Sequence, residues 1–215
     1  MKAATAVAIA ASFAASLSAS FACADPGPYV GGGIGRAHAR FDSGSFASNS
    51  PNIVDSTNAN KTGETLFAGY DVNRNWAVEG GYTHFGTFKY NYGGINALAG
   101  GSGQATYGAS SWWLAGKGTL PVSSSFDLFG KLGLSENRAR DSESTNSAGM
   151  DAVLGTPVTR NTNKAGLLAG VGAEYHVNKA FGVRMEYDNY GKFGGSGTQN
   201  LAKIGMWTAD VTYHF

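Results

Sequence analysis

The last ten residues, MWTADVTYHF, alternate strictly between apolar and polar side chains from Trp207 to Phe215. Successive side chains of a β-strand point to opposite faces, so a period of two predicts a strand that lies between two different environments. The same alternation recurs in GLLAGVGAEYHV, FGVRMEYDNY, WAVEGGYTHF, SWWLAGKGTL and FDLFGKLGL, and more weakly at 28–40 and 65–72. The sequence therefore predicts eight strands.

The connections between these strands alternate between short and long. The short connections are turn-like and lie at 73–75, 121–125 and 177–180. The long connections are rich in Ser, Asn, Gly and Thr and lie at 41–62, 91–104, 141–163 and 192–200. Short turns at one rim and long loops at the other are typical of an up-and-down antiparallel sheet. Both chain termini are then expected at the short-turn rim.

The two faces of the strands discriminate between a soluble barrel and a membrane barrel. One face is aliphatic and aromatic, with aromatic residues near strand ends at Trp76, Phe126, Tyr175, Phe181, Tyr213 and Phe215. The other combines glycines with Glu79, Lys117, Asp127, Lys131, Glu174, Arg184, Glu186, Asp188 and Asp210. An eight-stranded barrel is only just wide enough inside for side chains, and so many charges would be very costly in a soluble core.

The reverse arrangement is consistent, with apolar side chains toward lipid, aromatic residues at the interfaces and charges that pair inside a closed barrel. The predicted fold is an all-β, eight-stranded antiparallel up-and-down transmembrane β-barrel of the outer membrane.

The N-terminus predicts export. Met1-Lys2 is followed by an uncharged, Ala/Ser-rich stretch to residue 24, and Ala22-Cys23-Ala24 has the small-x-small form of a signal-peptidase site. A transmembrane helix is the alternative, but the stretch has no stop-transfer flank. We therefore expect a cleaved signal peptide at 1–24, Sec-type export, and a barrel domain at 25–215.

Removal of residues 1–24 would leave 15 basic and 15 acidic residues and no cysteine. A charge balance of zero gives no indication of nucleic acid as a partner. Without cysteines the exported chain cannot form an internal disulfide. No later segment has the roughly 20 mostly apolar residues of a membrane helix.

The segments WAVEGGYTHFG, LAGKGTLPVS, FDLFGKLGL and GVGAEYHVNKAFGVRMEYDNYG resemble the OmpA-type transmembrane domain, and the resemblance extends from Tyr29 to Phe215. It implies the outer membrane of a Gram-negative bacterium, contact with its lipid and lipopolysaccharide, and insertion by the barrel-assembly machinery. That machinery would read the final Phe215 and the aromatic Tyr213 two places before it. No segment resembles the peptidoglycan-binding module of full-length OmpA, so a single-domain member is expected.

The resemblance also implies a set of interior residues. In the family, a Glu on the third strand, a Lys on the fourth, a Glu on the sixth and an Arg on the seventh meet inside the barrel. The matching positions here are Glu79, Lys117, Glu174 and Arg184. They would form a salt-bridge gate whose exchange of partners opens or blocks a narrow water path.

The residues alone indicate that two acids and two bases in a confined interior should pair, because removing one leaves an uncompensated charge. A permanent plug is the alternative to the gate and is slightly favoured. Further interior charges are expected at Asp127, Lys131, Glu186, Asp188 and Asp210.

Three functions follow as hypotheses. The first is a non-enzymatic envelope scaffold that presents its long loops, 41–62, 91–104, 141–163 and 192–200, to a possible host or surface ligand. The second is a small gated, porin-like ion channel. The third is a lipid A-modifying enzyme, which needs a His and a Ser together at the lipid face. His84 is expected to point outward, but its chain neighbours Thr83, Phe85 and Gly86 supply no obvious nucleophile.

No cofactor or metal is predicted. His38, His84, His176 and His214 are isolated along the sequence, without metal-ligand spacing. DVNRN at 71–75 lacks the glycine and the final acid of a calcium loop. GGGIGR at 31–36 is not a dinucleotide fingerprint, because Arg36 replaces the last glycine. The scaffold is therefore the first expectation and no catalysis is predicted.

Overall fold

The computed structural model describes six ranges of the chain: 27–41, 54–57, 60–93, 102–145, 159–193 and 202–215. The predicted signal peptide at 1–24 lies outside these ranges, as do parts of the four long connections. The strands, in chain order, are β1 (Pro28–Phe41), β2 (Val54–Thr57), β3 (Asn60–Asn73), β4 (Trp76–Gly93), β5 (Ser102–Pro121), β6 (Phe126–Thr145), β7 (Thr159–His176), β8 (Phe181–Phe193) and β9 (Ala202–His214). Within the six ranges, no helix is long and apolar enough to span a membrane.

Eight of these strands close into a barrel of antiparallel pairs. The order is β4-β3-β1-β9-β8-β7-β6-β5, and the pairing of β4 with β5 joins the two ends of the sheet. The short β2 pairs with the far end of β4, from Val54 opposite Gly93 to Thr57 opposite Tyr90, beyond the last β3–β4 pair. The predicted eight-stranded antiparallel β-barrel is confirmed.

One rim of the barrel carries the short turns and the C-terminus. Two of these turns are fixed by asparagine side chains that accept hydrogen bonds from the backbone two and three residues later. The Asn73 Oδ1 accepts from the amides of Asn75 at 2.8 Å and Trp76 at 3.0 Å. The Asn178 Oδ1 accepts from Ala180 and Phe181, both at 2.8 Å. In outer-membrane barrels the short turns are periplasmic, so this rim faces the periplasm.

The predicted long loops are too wide, because the adjoining strands extend up to five residues into them. The β4–β5 ladder continues to Gly93 opposite Ser102, and the β5–β6 ladder to Gly103 opposite Thr145. These extensions lie past the apolar stretch of each strand, where we expect water to meet the sheet outside the membrane. Because both faces of the sheet would then contact water, both can carry polar side chains. The sequence of these segments therefore lacks the apolar–polar alternation that indicates a strand.

The outer face is apolar over the depth of a membrane. Along β7 the outward side chains run from Leu167 through Val171 to Tyr175, and Leu167 and Val171 are 74% and 61% exposed. Aromatic pairs mark the level farther from the turns, where Tyr82 lies against Trp112 and Tyr187 against Trp207, with ring centroids 4.9 and 5.1 Å apart. The aromatic residues predicted near strand ends form the belt at the turn rim: Trp76, Phe126, Tyr175, Phe181, Tyr213 and Phe215.

Two bulges change the inward alternation on the side away from the turns. The register shifts between His84 and Thr87 on β4, and between Asn189 and Lys192 on β8. Each bulge contains a glycine in the left-handed region, Gly86 with φ 77° and Gly191 with φ 74°, a conformation that other residues rarely adopt. An extra residue at each bulge brings two aromatic side chains three positions apart to the same inner face.

Candidate functional site

The structure brings the four family-matched side chains together at the centre of the barrel. The Arg184 Nη1 lies 2.8 Å from the Glu79 Oε1, and the Arg184 Nη2 lies 3.0 Å from the Glu174 Oε2. The Lys117 Nζ lies 3.4 Å and 3.8 Å from the same two oxygens. Each base therefore bridges both acids. All four side chains are at most 4% exposed.

Strand register explains part of this arrangement. Glu174 and Arg184 stand directly opposite each other across the β7–β8 hairpin. Glu79 and Lys117 are diagonal neighbours on β4 and β5, because Glu79 is opposite Ala115 and Lys117 is opposite Ala77. Barrel closure brings these two pairs into contact from opposite walls.

A third cation, Lys131, extends the cluster. The Lys131 Nζ lies 2.9 Å from the Glu186 Oε1, 3.1 Å from the Asp188 Oδ2 and 3.6 Å from the Glu79 Oε2. Glu79 thus contacts all three buried bases. We call this set of contacting charges the ionic layer: Glu79, Lys117, Lys131, Glu174, Arg184, Glu186 and Asp188.

The other two predicted interior charges lie outside the ionic layer. Asp210 is buried beside it, where its Oδ2 accepts a hydrogen bond of 2.8 Å from the Thr208 hydroxyl. Asp127 lies at the turn rim, where its Oδ2 is 2.8 Å from the His176 Nε2 and its side chain is 19% exposed.

Aromatic rings enclose the buried cations. The Arg184 guanidinium lies 4.8 Å from the centroid of Phe129 and 4.9 Å from that of Phe67. The Lys131 Nζ is 4.7 Å from the Trp113 centroid, and the Lys117 Nζ is 4.7 Å from the Tyr29 centroid. Cations over ring faces gain electrostatic stabilisation where water is excluded. These four rings were not among the predicted interior residues, although each alternates in phase with inward-facing residues of its strand.

Glycines on the inner face leave space for two of these rings. Gly31 stands opposite Phe67, and Gly69 stands opposite Tyr29. A Cβ on Gly31 would lie 2.6 Å from the Phe67 Cε2, and one on Gly69 would lie 2.7 Å from the Tyr29 Cε2. With its ring over Gly69, Tyr29 places its hydroxyl beside Glu79, and this hydroxyl donates a hydrogen bond of 2.6 Å to the Glu79 Oε1.

An apolar cap lies inside the barrel beyond the ionic layer, toward the long loops. Phe85 packs edge-on against Tyr190 and Phe193, with centroids 4.8 and 5.3 Å apart. Every member of the cap is at most 2% exposed: Phe85, Phe88, Tyr190, Phe193, Ile204 and Met206. The two bulges bring Phe88 and Phe193 to the inner face out of phase with the regular alternation, whereas Phe85 and Tyr190 continue the inward series of Glu79 and Asp188.

The buried charges are not balanced. Among the residues that the structure describes, three buried cations, Lys117, Lys131 and Arg184, face five buried carboxylates: Glu79, Glu174, Glu186, Asp188 and Asp210. Four of the carboxylate oxygens are buried without a hydrogen bond: Glu79 Oε2, Glu186 Oε2, Asp188 Oδ1 and Asp210 Oδ1. With all groups ionised, the interior carries an excess of negative charge.

The outer face places a serine beside His84, which the chain neighbours of His84 did not reveal. His84 stands directly opposite Ser110 of β5 and opposite Glu64 of β3. In the described part of the chain no hydrogen bond joins His84 to either residue. The three groups are therefore neighbours in register and do not form an assembled catalytic triad.

Comparisons with known proteins agree with this architecture. Residues 24–215 match the family described as the OmpA-like transmembrane domain. Outer membrane protein A of Yersinia pseudotuberculosis serotype I (strain IP32953) is 30% identical over 188 residues, which are 87% of this chain and 48% of that protein. The chain thus spans about half the length of this relative.

Solved structures of low sequence identity share the fold. The outer membrane protein OprG from Pseudomonas aeruginosa aligns with a TM-score of 0.56 and 16% identity, over 88% of this chain and 96% of that one. Ail, the attachment invasion locus protein of Yersinia pestis, crystallised with the heparin analogue sucrose octasulfate, aligns with a TM-score of 0.50 and 17% identity, over 89% and 100%. The family match, the relative and the closed barrel together establish that this chain belongs to the OmpA-like transmembrane domain family and is a β-barrel protein of the Gram-negative outer membrane.

Proposed function

We propose that this protein is a closed, non-enzymatic scaffold of the cell envelope, which holds polar segments outside the outer membrane. The observation that carries the proposal is a double obstruction of the barrel interior. The ionic layer fills the centre with paired charges, and the apolar cap fills the next level with side chains at most 2% exposed.

The apolar cap makes a closed barrel the better proposal than a gate. Exchange of salt-bridge partners within the ionic layer would move charged groups at one level only. A continuous water path would also need Phe85 and Phe193 to separate, and their edge-to-face contact is fully buried. An ion between the rings of Phe85 and Phe193 would lose hydration that two phenyl rings do not replace.

Conductance in planar bilayers tests the proposal. We expect background conductance from the wild-type protein and from Lys117→Ala, because the cap remains in place when the lysine is removed. Incorporation would be verified by gel mobility of the unboiled against the boiled protein. Discrete channel openings by the wild type would contradict a closed scaffold.

A gated channel is the second candidate, and one observation favours it. Lys117 lies farther from its two acids, 3.4 and 3.8 Å, than Arg184 does, 2.8 and 3.0 Å. The lysine can therefore leave with the smaller loss of interaction energy. The excess of buried carboxylates would favour cations, so openings with a cation-selective reversal potential in a salt gradient would support this candidate.

Lipopolysaccharide is the proposed partner of the outer surface above the apolar band. Arg40 of β1 stands opposite Lys203 of β9, and Lys203 stands opposite Lys192 of β8. All three are exposed, and among the described residues no acid forms a salt bridge with them. Like charges directly opposite each other destabilise a sheet, whereas anionic phosphate groups between them would remove the repulsion.

Neutralising this row is expected to weaken binding of lipopolysaccharide to the folded protein. The triple variant Arg40→Gln, Lys192→Gln and Lys203→Gln should bind fluorescent lipopolysaccharide at least tenfold more weakly, because three phosphate contacts are lost. Arg138→Gln is the matched control, because Arg138 already pairs with Glu136 at 3.1 Å. Equal affinities of the triple variant and the wild type would contradict the binding of lipopolysaccharide by these three residues.

The remaining proposals concern processing, assembly and catalysis. Tyr213 and Phe215 contact each other on the outer face with centroids 5.0 Å apart, and we expect Phe215→Ala to reduce the heat-modifiable, folded fraction in cells.

Cleavage of the signal peptide would leave Asp25 at the N-terminus, which sequencing of the mature protein detects. Absence of catalysis predicts identical lipid A mass spectra from cells with and without the protein.

The long connections remain the proposed site for a host or surface ligand. They leave the rim opposite the periplasmic turns, and their Ser, Asn, Gly and Thr composition is that of exposed segments that carry binding functions. Cells that carry the barrel with shortened connections should lose adhesion to a ligand-coated surface while they keep the folded protein. Unchanged adhesion would contradict a ligand-binding role for the long connections.

A further inference from the structure

The periplasmic rim of the barrel brings two histidines together beside a buried carboxylate. Glu174 and His176 come from the end of β7, and His214 comes from the end of β9, two strands away. One donor atom from each of the three residues lies within 4.8 Å of the donor atoms of the other two. The rings are accessible from the periplasm, because the side chains of His176 and His214 are 31% and 22% exposed.

Each histidine already has a carboxylate behind it. The His176 Nε2 lies 2.8 Å from the Asp127 Oδ2, which leaves its Nδ1 available. The His214 Nδ1 lies 3.4 Å from the Asp71 Oδ2, which leaves its Nε2 available. A carboxylate on the second ring nitrogen is the usual support of a metal-binding histidine, because it fixes the tautomer and raises the basicity of the ligand nitrogen.

The available nitrogen of His214 is the strongest indication that something is to be bound. The His214 Nε2 is buried and has no hydrogen-bond partner. It faces the Glu174 Oε1 at 3.7 Å, an ion-pair distance for a protonated imidazole but too far for a hydrogen bond. The same Glu174 oxygen accepts a hydrogen bond of 2.6 Å from the Thr212 hydroxyl, which fixes the carboxylate toward the rim.

We propose that Glu174, His176 and His214 bind one divalent transition-metal ion at the periplasmic rim, and that zinc fits this ligand set. Two imidazoles and one carboxylate are a recurrent zinc set, with water in the fourth tetrahedral position. Ligand bonds of 2.0–2.1 Å place tetrahedral donors about 3.3 Å apart. The donor atoms, now at most 4.8 Å apart, therefore need to approach one another by up to about 1.5 Å. Calcium and magnesium prefer sets made only of oxygen.

A metal at this rim would act on the ionic layer through Glu174. The Glu174 Oε2 holds Arg184 at 3.0 Å and Lys117 at 3.8 Å, while its Oε1 faces the rim. A cation on the Oε1 competes with both bases for the charge of one carboxylate. It would also tie β7 to β9 across β8. This inference holds whether the barrel is closed or conducts.

The test uses the untagged mature chain, refolded in detergent micelles and titrated with zinc chloride in a calorimeter. We expect one zinc per chain and at least tenfold weaker binding for His176→Gln and for His214→Gln. Asp127→Asn and Asp71→Asn should weaken binding about 10- to 100-fold, which is the usual effect of losing the carboxylate behind a ligand. His38→Gln and His84→Gln remove histidines elsewhere and should bind like the wild type. Gel mobility of unboiled protein shows which variants are folded.

Cobalt in place of zinc gives a second measurement that does not depend on affinity. A tetrahedral site with imidazole ligands should give visible absorption bands for the wild type and for His84→Gln, and these bands should be lost in His214→Gln. Absence of saturable zinc binding by the folded wild type would overturn the proposal. Folded His176→Gln and His214→Gln proteins that bind zinc like the wild type would also overturn it, as would magnesium binding as tightly as zinc.

Discussion

Replacing Arg184 by alanine is expected to lower the free energy of unfolding of the barrel by about 3–5 kcal/mol. The guanidinium is fully buried and neutralises Glu79 at 2.8 Å, Glu174 at 3.0 Å and Glu186 at 3.7 Å. Its removal leaves only Lys117 and Lys131 to compensate the five buried carboxylates. The stacking of the guanidinium against Phe67 and Phe129 is lost at the same time.

Arg138→Ala is the matched control for this experiment. Arg138 also pairs with a glutamate, Glu136, at 3.1 Å, but the two side chains are 45% and 51% exposed. Exposed pairs contribute at most about 1 kcal/mol. Urea unfolding in lipid vesicles, followed by tryptophan fluorescence, would measure both variants. Equal losses for Arg184→Ala and Arg138→Ala would show that burial does not determine the strength of the central pairs.

A charge at the middle of the apolar band is expected to have the second large effect. Val171 is 61% exposed on the outer face of β7, midway between Leu167 and Tyr175. A tilted strand rises about 2.5 Å per residue along the membrane normal, which places Val171 about 10 Å from either end of the band. Val171→Arg should therefore lower the free energy of unfolding by about 2–4 kcal/mol.

Val177→Arg makes the same change at the rim. Val177 is 59% exposed, similar to Val171, but it lies in the turn that follows β7. An arginine near the interface costs only about 0–1 kcal/mol. Both variants would be unfolded from vesicles with denaturant. A smaller loss at Val171 than at Val177 would mean that the apolar face of β7 does not lie in lipid.

The central salt bridges could be predicted from the sequence because they depend on a single property, the face of the strand. Glu79, Lys117, Glu174 and Arg184 all lie on regular stretches, where alternation assigns them to the inner face. Closure of a narrow barrel then leaves them no place except beside one another. The family resemblance predicted which of these four charges pair with one another. It did not predict the contacts of Lys131 with Glu79, Glu186 and Asp188.

Three features could not be predicted, each for a physical reason. In the apolar cap, Phe88 and Phe193 face inward because of the bulges at Gly86 and Gly191, since an inserted residue reverses the alternation beyond it. The strands outside the membrane have polar residues on both faces, so they have the composition of loops. The rim contacts depend on register between distant strands, as His176 and His214 are 38 positions apart in the sequence.

The pairing of the first strand with the last has a consequence for biogenesis. β1 and β9 are joined from Tyr29 opposite His214 to Phe41 opposite Ala202, and the Tyr29 ring stacks on His214 at 4.9 Å. Glu79, from the first half of the chain, meets Arg184 only once this seam is formed. A half-inserted chain would expose unpaired charged side chains and unpaired backbone amide and carbonyl groups to the hydrocarbon core of the membrane. Insertion should consequently proceed without a long-lived partial barrel, because both free sheet edges stay unpaired until β9 joins β1.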